Sequence, residues 1–149
     1  MDEFFSGLIP IVADYGGVGL FLFCALAASI IPVSSEAALV AALEAKMDPW
    51  EALVWASAGN CLGILLNYWI GYLTSDRILA KLREGRSGRK AIDWADRWGM
   101  WALFLSWTPF LGDPLTFAAG AFRMNLAAFI LIACTMRVAR YMVFFLFYI

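Results

Sequence analysis

Two stretches of this 149-residue chain, 50–73 (WEALVWASAGNCLGILLNYWIGYL) and 126–149, are long and apolar enough to cross a bilayer, and they fix the solvent in which the chain folds. About 20 helical residues at 1.5 Å each cover a hydrocarbon core of ~30 Å, inside which every backbone polar group needs a partner in its own segment. Trp50 and Tyr72 stand where interfacial anchors belong. Charged side chains make up 15% of the chain, against ~25% in a soluble domain, too little to cover a water-exposed globule. Twelve acidic and eleven basic residues carry no basic excess with which to neutralise a phosphate backbone, which argues against nucleic acid.

The chain contains no histidine, which removes Ser-His and Cys-His nucleophile pairs, His-ligated zinc and imidazole relays. Cys24, Cys61 and Cys134 lie far apart inside apolar runs and read as small packing residues, so neither a metal nor another cofactor is expected. No nucleophile or metal site points to an enzyme. The N-terminus carries Asp2 and Glu3 where a secretory signal carries Lys or Arg, and is expected to be retained.

The other apolar runs are too short to cross. Residues 16–31 stop at Pro32, after which Val33-Ser34-Ser35-Glu36 leads into AALVAAL and the turn-prone Glu44-Ala45-Lys46-Met47-Asp48-Pro49. Two short arms joined by Pro-x-Ser-Ser-Glu predict a hairpin that dips into the membrane and returns; such a tip is tolerated at depth only when buried in protein or facing a wet cavity. Residues 100–111 repeat the pattern, broken at Gly112-Asp113-Pro114 and followed by LTFAAGAF and Arg123-Met124-Asn125. Between the halves, 74–98 holds seven of the eleven basic residues, which places it in the cytoplasm as an amphipathic connector, with Trp94 and Trp98 near the headgroups. Its Lys and Arg suit anionic lipid, each worth about 1 kcal/mol near the surface.

Offset by 77 residues without a gap, Pro32 falls on Pro109, Glu36 on Asp113, Ala41-Ala42 on Ala118-Ala119, and Lys46-Met47-Asp48 on Arg123-Met124-Asn125. The identities are few and apolar segments resemble one another by composition, so the order of features carries more weight. A non-crossing hairpin plus one crossing helix, taken twice, enters the membrane from opposite faces, the inverted-repeat plan of many secondary transporters. The expectation is an all-α integral membrane protein forming one membrane domain over 1–149: repeat one about 16–73, connector 74–98, repeat two about 99–149. Pro32, Pro109 and Gly112 are the expected hairpin breakers.

Glu36 and Asp113, at the hairpin tips, are candidate proton-coupling groups, because desolvation disfavours a charged carboxylate unless a cation lies nearby. The alternative is that each serves the helix starting after its break, since Ser35-Glu36 and Asp113-Pro114 are both good first-turn sequences. Arg137 and Arg140, three residues apart on one helix face, each cost about 2.5–3.5 kcal/mol at a helix centre and should point inward, towards the acids as a lock or towards an anionic ligand. Arginine's planar fork suits phosphate. Ala56, Gly59, Asn60, Gly63, Asn67 and Gly71 form one stripe that reads as close packing, with Asn60 the candidate exception as a substrate-binding group; Asn60 pairs with Arg137, and Gly63 with Arg140, in the 77-residue register.

IPVSSEAALVAAL, GNCLGILLNYWIGYL, the basic connector, SWTPFLGDPLTFAAGAFRMNLAAF and TMRVARY together resemble the DedA superfamily, also called VTT or SNARE-associated membrane proteins, and within it the small YqaA-like branch. The resemblance covers about 20–145. It implies two opposed re-entrant hairpins, proton-motive-force-dependent transport, and movement of phospholipid or polyprenyl-phosphate carriers between leaflets of the bacterial inner membrane. Glu36 matches the acidic residue of the family's first hairpin, and Pro109 with Ala119-Gly120 its second-hairpin signature. Many larger members carry an arginine where this chain has Asp113, so a phosphate-binding role there falls to Arg137 or Arg140. The expected function is a proton-coupled transporter or lipid flippase, with a non-transporting structural or assembly factor for envelope integrity as the competing class. Membrane lipids are the expected partners, and the pattern is compatible with a homo-oligomer.

Overall fold

The computed structural model describes residues 2–28, 35–108 and 112–148, and among these every regular element is helical. Helix α1 (Asp2–Ala27) is broken at Gly16, whose φ of 55° and ψ of −139° suit a residue without a Cβ. It is followed by α2 (Ser35–Glu44), α3 (Pro49–Glu84) and α4 (Arg86–Ala102), which runs into a 3₁₀ turn at Leu103–Trp107. Then come α5 (Gly112–Ala121), α6 (Leu126–Phe129), a π-helical turn at Ile130–Cys134, and α7 (Thr135–Tyr148). Two helical stretches, Pro49–Glu84 and Leu126–Phe147, are long and apolar enough to cross a membrane, at the places expected from the sequence. Val54, Leu66, Leu73, Leu131, Leu146 and Phe147 on them are exposed, an apolar outer surface that suits lipid better than water.

Pro32 and Pro109 lie outside the described residues. Gly112 is the buried first residue of α5, its N–H donating to the Thr108 carbonyl at 3.0 Å. The stretch 74–98 is helical nearly throughout: α3 continues to Glu84, and after Gly85 α4 begins at once. Lys81 and Arg83 in the last turn of α3 complement the negative end of its dipole.

One piece of local chemistry occurs twice. Lys46 and Arg123 adopt positive φ (63° and 52°) just past the ends of α2 and α5. The next N–H, of Met47 or Met124, reaches back to the carbonyl of Ala42 or Ala119 at 3.1 and 3.0 Å, closing a Schellman turn. Asp48 then accepts from the N–H groups of Trp50 and Glu51, and Asn125 from that of Ala128, capping the next helix. Each basic-Met-polar triplet thus ends one helix and starts another.

Contacts group the chain into two compact units, one of Met1–Gly63 with Arg137–Ile149, the other of Ile64–Met136. Each long helical stretch gives one part to each unit. In the first unit, Leu20 and Cys24 of α1 pack with Leu39 and Ala42 of α2, Ala52 and Ala56 of α3, and Tyr141 and Phe145 of α7. In the second, Ile64 and Tyr68 of α3 pack with Leu103, Ala119, Phe129 and Ala133. Small residues set both contacts: a Cβ on Gly59 would strike the Phe21 carbonyl of α1, and one on Gly120 the Tyr68 carbonyl of α3. With no water to expel between helices in lipid, such backbone approach is a main source of association.

Candidate functional site

The first unit encloses a network of polar side chains. Ser35 and Glu36 occupy the first turn of α2, where the positive helix end favours a carboxylate. Arg137 and Arg140 come from α7, one turn apart, and are 3% and 5% exposed; Asn60 of α3 is fully buried. Arg140 Nη2 stands 2.7 Å from Glu36 Oε1, with side chains 6% and 12% exposed. Arg137 Nη1 donates to Asn60 Oδ1 at 3.2 Å, and Asn60 Nδ2 donates to Ser35 Oγ at 3.1 Å and to the Tyr141 hydroxyl at 3.0 Å.

This geometry follows from spacing. Positions three apart on α7 aim both guanidinium groups at one face, and Tyr141, next to Arg140, packs into the core with its hydroxyl on the Asn60 amide. An arginine at this depth persists because a carboxylate or amide meets it; the Glu36–Arg140 attraction offsets desolvation only while both members are present. Asn60 is the joint: its oxygen takes a guanidinium and its nitrogen two hydroxyls, which fixes the orientation of the amide.

Asn60→Leu should therefore cost about 3 kcal/mol or more, since it strips partners from three buried polar groups at once. Asn60→Asp keeps the shape, gives Arg137 a counter-charge and lets Ser35 and Tyr141 donate instead of accept, so it should stay close to the parent. Thermal unfolding of the two purified variants in detergent checks this contrast; equal melting temperatures for both would contradict it.

The second unit is built differently. Asp113 lies in the first turn of α5, where Thr116 Oγ1 donates to its main-chain carbonyl at 2.8 Å and accepts from Asn67 Nδ2 at 3.4 Å. Ser106 and Thr116 are fully buried. The residue 77 positions before Arg140 is Gly63, so the repeat does not furnish a second arginine in the matching register. Nearer the surface, Arg123 pairs with Asp76 at 2.8 Å and stands over the Tyr72 ring at 5.4 Å.

Of the candidate residues, Glu36, Asn60, Arg137 and Arg140 meet in the first unit and Asp113 lies in the second. The sequence singled out neither Tyr141 nor Thr116, and Ser35 only as a first-turn residue beside Glu36. Their signals were present: Ser35 precedes the acid, Tyr141 follows the second arginine, and Thr116 stands three residues after Asp113 on one helix face. Among the described residues no group of three His, Cys, Asp or Glu side chains is placed to hold a metal ion.

Comparison with known proteins places this arrangement in context. Residues 31–148 match the family described as the VTT domain. The chain is 35% identical over 123 residues to inner membrane protein YqaA of Escherichia coli (strain K12), covering 82% of this chain and 83% of that protein. The same identity and coverage hold for inner membrane protein YqaA of Shigella flexneri. A protein of Methanocaldococcus jannaschii is 23% identical over 144 residues, 95% of this chain and 89% of its own length. No solved structure matches.

Proposed function

Because the chain belongs to the VTT-domain family, we propose that this inner-membrane protein is a proton-coupled transporter or flippase that carries an anionic lipid, or a lipid-phosphate headgroup, between leaflets. The observation that carries the reading is the buried Glu36–Arg140 pair at 2.7 Å. A carboxylate and an anionic headgroup compete for one guanidinium. Arg140 binds Glu36 while the site is empty; when Glu36 takes a proton, Arg140 is released to bind phosphate with its two-pronged fork. The two favoured states are then an empty site with ionised Glu36 and a loaded site with protonated Glu36, so anion and proton move together. Asn60 holds the second guanidinium, that of Arg137, beside this exchange, and Asp113 takes the corresponding proton-coupling role on the second repeat.

We also propose that the two halves are inverted repeats, each a re-entrant hairpin with one crossing helix. Core positions 77 apart support this: Ala42 and Ala119, Ala52 and Phe129, Ala56 and Ala133, Ile64 and Tyr141, Tyr68 and Phe145 are each core residues of opposite units. The twin Schellman turns at Lys46 and Arg123 keep the same register. Asn60 and Arg137, bonded to each other, are themselves register equivalents.

A second reading, a non-transporting structural factor, is favoured by one observation: both N–H donors of the Asn60 amide go to side chains of the protein, Ser35 and Tyr141. Asp113→Asn distinguishes the two. In proteoliposomes of the purified protein with an imposed proton gradient, it should abolish movement of a labelled anionic phospholipid between leaflets at unchanged protein levels. Gradient-independent movement, or full activity of the variant, sinks the coupled reading, and no movement by the unaltered protein favours the structural factor.

A further inference from the structure

We propose that the second unit holds a resident anionic phospholipid of the cytoplasmic leaflet, one acyl chain in a cavity between α4 and α5 and its headgroup on Lys90 and Arg97, apart from the transport site. The cavity measures about 360 Å³ and is lined by apolar side chains, among them Trp94, Ala95 and Gly99 of α4 and Leu115, Ala118 and Phe122 of α5. A space of this size exceeds the voids left by close packing, and with no polar partner on its walls it does not hold ordered water. It reaches the surface at Trp94, which is 52% exposed.

Charge placement identifies the occupant. On α4, Lys90 and Arg97 lie four residues before and three after Trp94, neighbours on the helix surface. Trp94, Trp98 and Trp101 make an exposed row, and Arg86, Lys90, Asp93 and Arg97, exposed as well, run beside it, three basic residues to one acidic. Ala95, Gly99 and Ala102 turn their small face to the cavity. A basic row, an aromatic row and an apolar hollow in sequence across one helix repeat the cross-section of a leaflet from headgroup to acyl chain, the arrangement of helices that lie in the interface. The small residues of α4 leave room in the hollow, part of which the Met124 side chain takes up beside Gly99.

Native mass spectrometry of the full chain released from detergent tests this. The unaltered protein should retain one dioleoyl phosphatidylglycerol in preference to dioleoyl phosphatidylcholine, and Lys90→Gln with Arg97→Gln should cut that preference about thirty-fold, about 1 kcal/mol per basic residue. Ala118→Leu, which fills the cavity, should lose both lipids. Equal retention of the two lipids by the unaltered protein overturns the headgroup assignment, and undiminished phosphatidylglycerol on Ala118→Leu overturns the cavity assignment. If that variant does not fold, chain length on the unaltered protein decides: dihexanoyl phosphatidylglycerol binding as tightly as the dioleoyl form overturns it, and binding at least ten-fold weaker upholds it. A dimer in the spectra that dissociates in Ala118→Leu makes the occupant a second copy of the chain, which also overturns the proposal.

Discussion

Replacing Glu36 and Arg140 together by glutamine should give a protein that inserts and folds but moves no lipid, whereas either replacement alone should also fail to reach normal membrane levels. The pair is buried at 2.7 Å. Removing one member takes a close buried counter-charge from the other, at a cost of about 3–5 kcal/mol. The double variant removes both charges and leaves two amides able to bond to each other, so most of that loss returns. Transport follows a different rule. Losing the guanidinium forfeits two charge-assisted hydrogen bonds to an anionic headgroup, and losing the carboxyl forfeits the proton that accompanies it, so the rate should drop about a hundredfold or more even in the restored fold. Unfolding temperatures in detergent give the first part, as a double-mutant cycle, and leaflet transfer in proteoliposomes the second. A well-folded double variant with undiminished transfer shows that Glu36 and Arg140 serve as a lock, and the structural reading takes over.

What the sequence made legible was what depends on local chemistry and on scarcity. The two spans follow from length and hydropathy, and the inward direction of Arg137 and Arg140 from the cost of a charge in lipid. The triplets Lys46-Met47-Asp48 and Arg123-Met124-Asn125 read as turns because each combines helix-ending and helix-capping residues, and both close the same Schellman turn. What stayed hidden depends on long-range packing. Nothing within 49–84 announces that residues up to Gly63 pack with one unit and those from Ile64 with the other, since the small-residue stripe continues through both. The connector's charge pattern showed its solvent, but its helical conformation rests on α3 running on past the apolar segment to Glu84. The breadth of the site was understated for a related reason: Ser35 and Tyr141 are ordinary residues until Asn60, 25 and 81 positions away from them, supplies an amide that bonds to both.

Close helix approach at small residues carries the other large expected effect. Gly120→Ala should destabilise the protein by about 3 kcal/mol, the upper part of the usual range for overpacking, and Gly59→Ala by a similar amount. A Cβ on Gly120 would run into the Tyr68 carbonyl, and one on Gly59 into the Phe21 carbonyl. In each case the obstacle is the backbone of a neighbouring helix, with no rotamer through which to give way. Relief requires the helices to separate, which in lipid also gives up the dispersion contacts that hold them together. For Gly120 the separation pulls α5, and Asp113 with it, away from α3; for Gly59 it opens α1 from α3 beside the Asn60 network. Gly85 is the control: nothing lies within 4 Å of its added Cβ, and its φ of −105° is open to alanine, so Gly85→Ala should change stability by less than about 1 kcal/mol. Unfolding temperatures of the three purified variants in one detergent settle the comparison. If Gly120→Ala unfolds with Gly85→Ala, close backbone approach does not hold the second unit together, and its helices associate through Tyr68, Phe129 and their apolar neighbours instead.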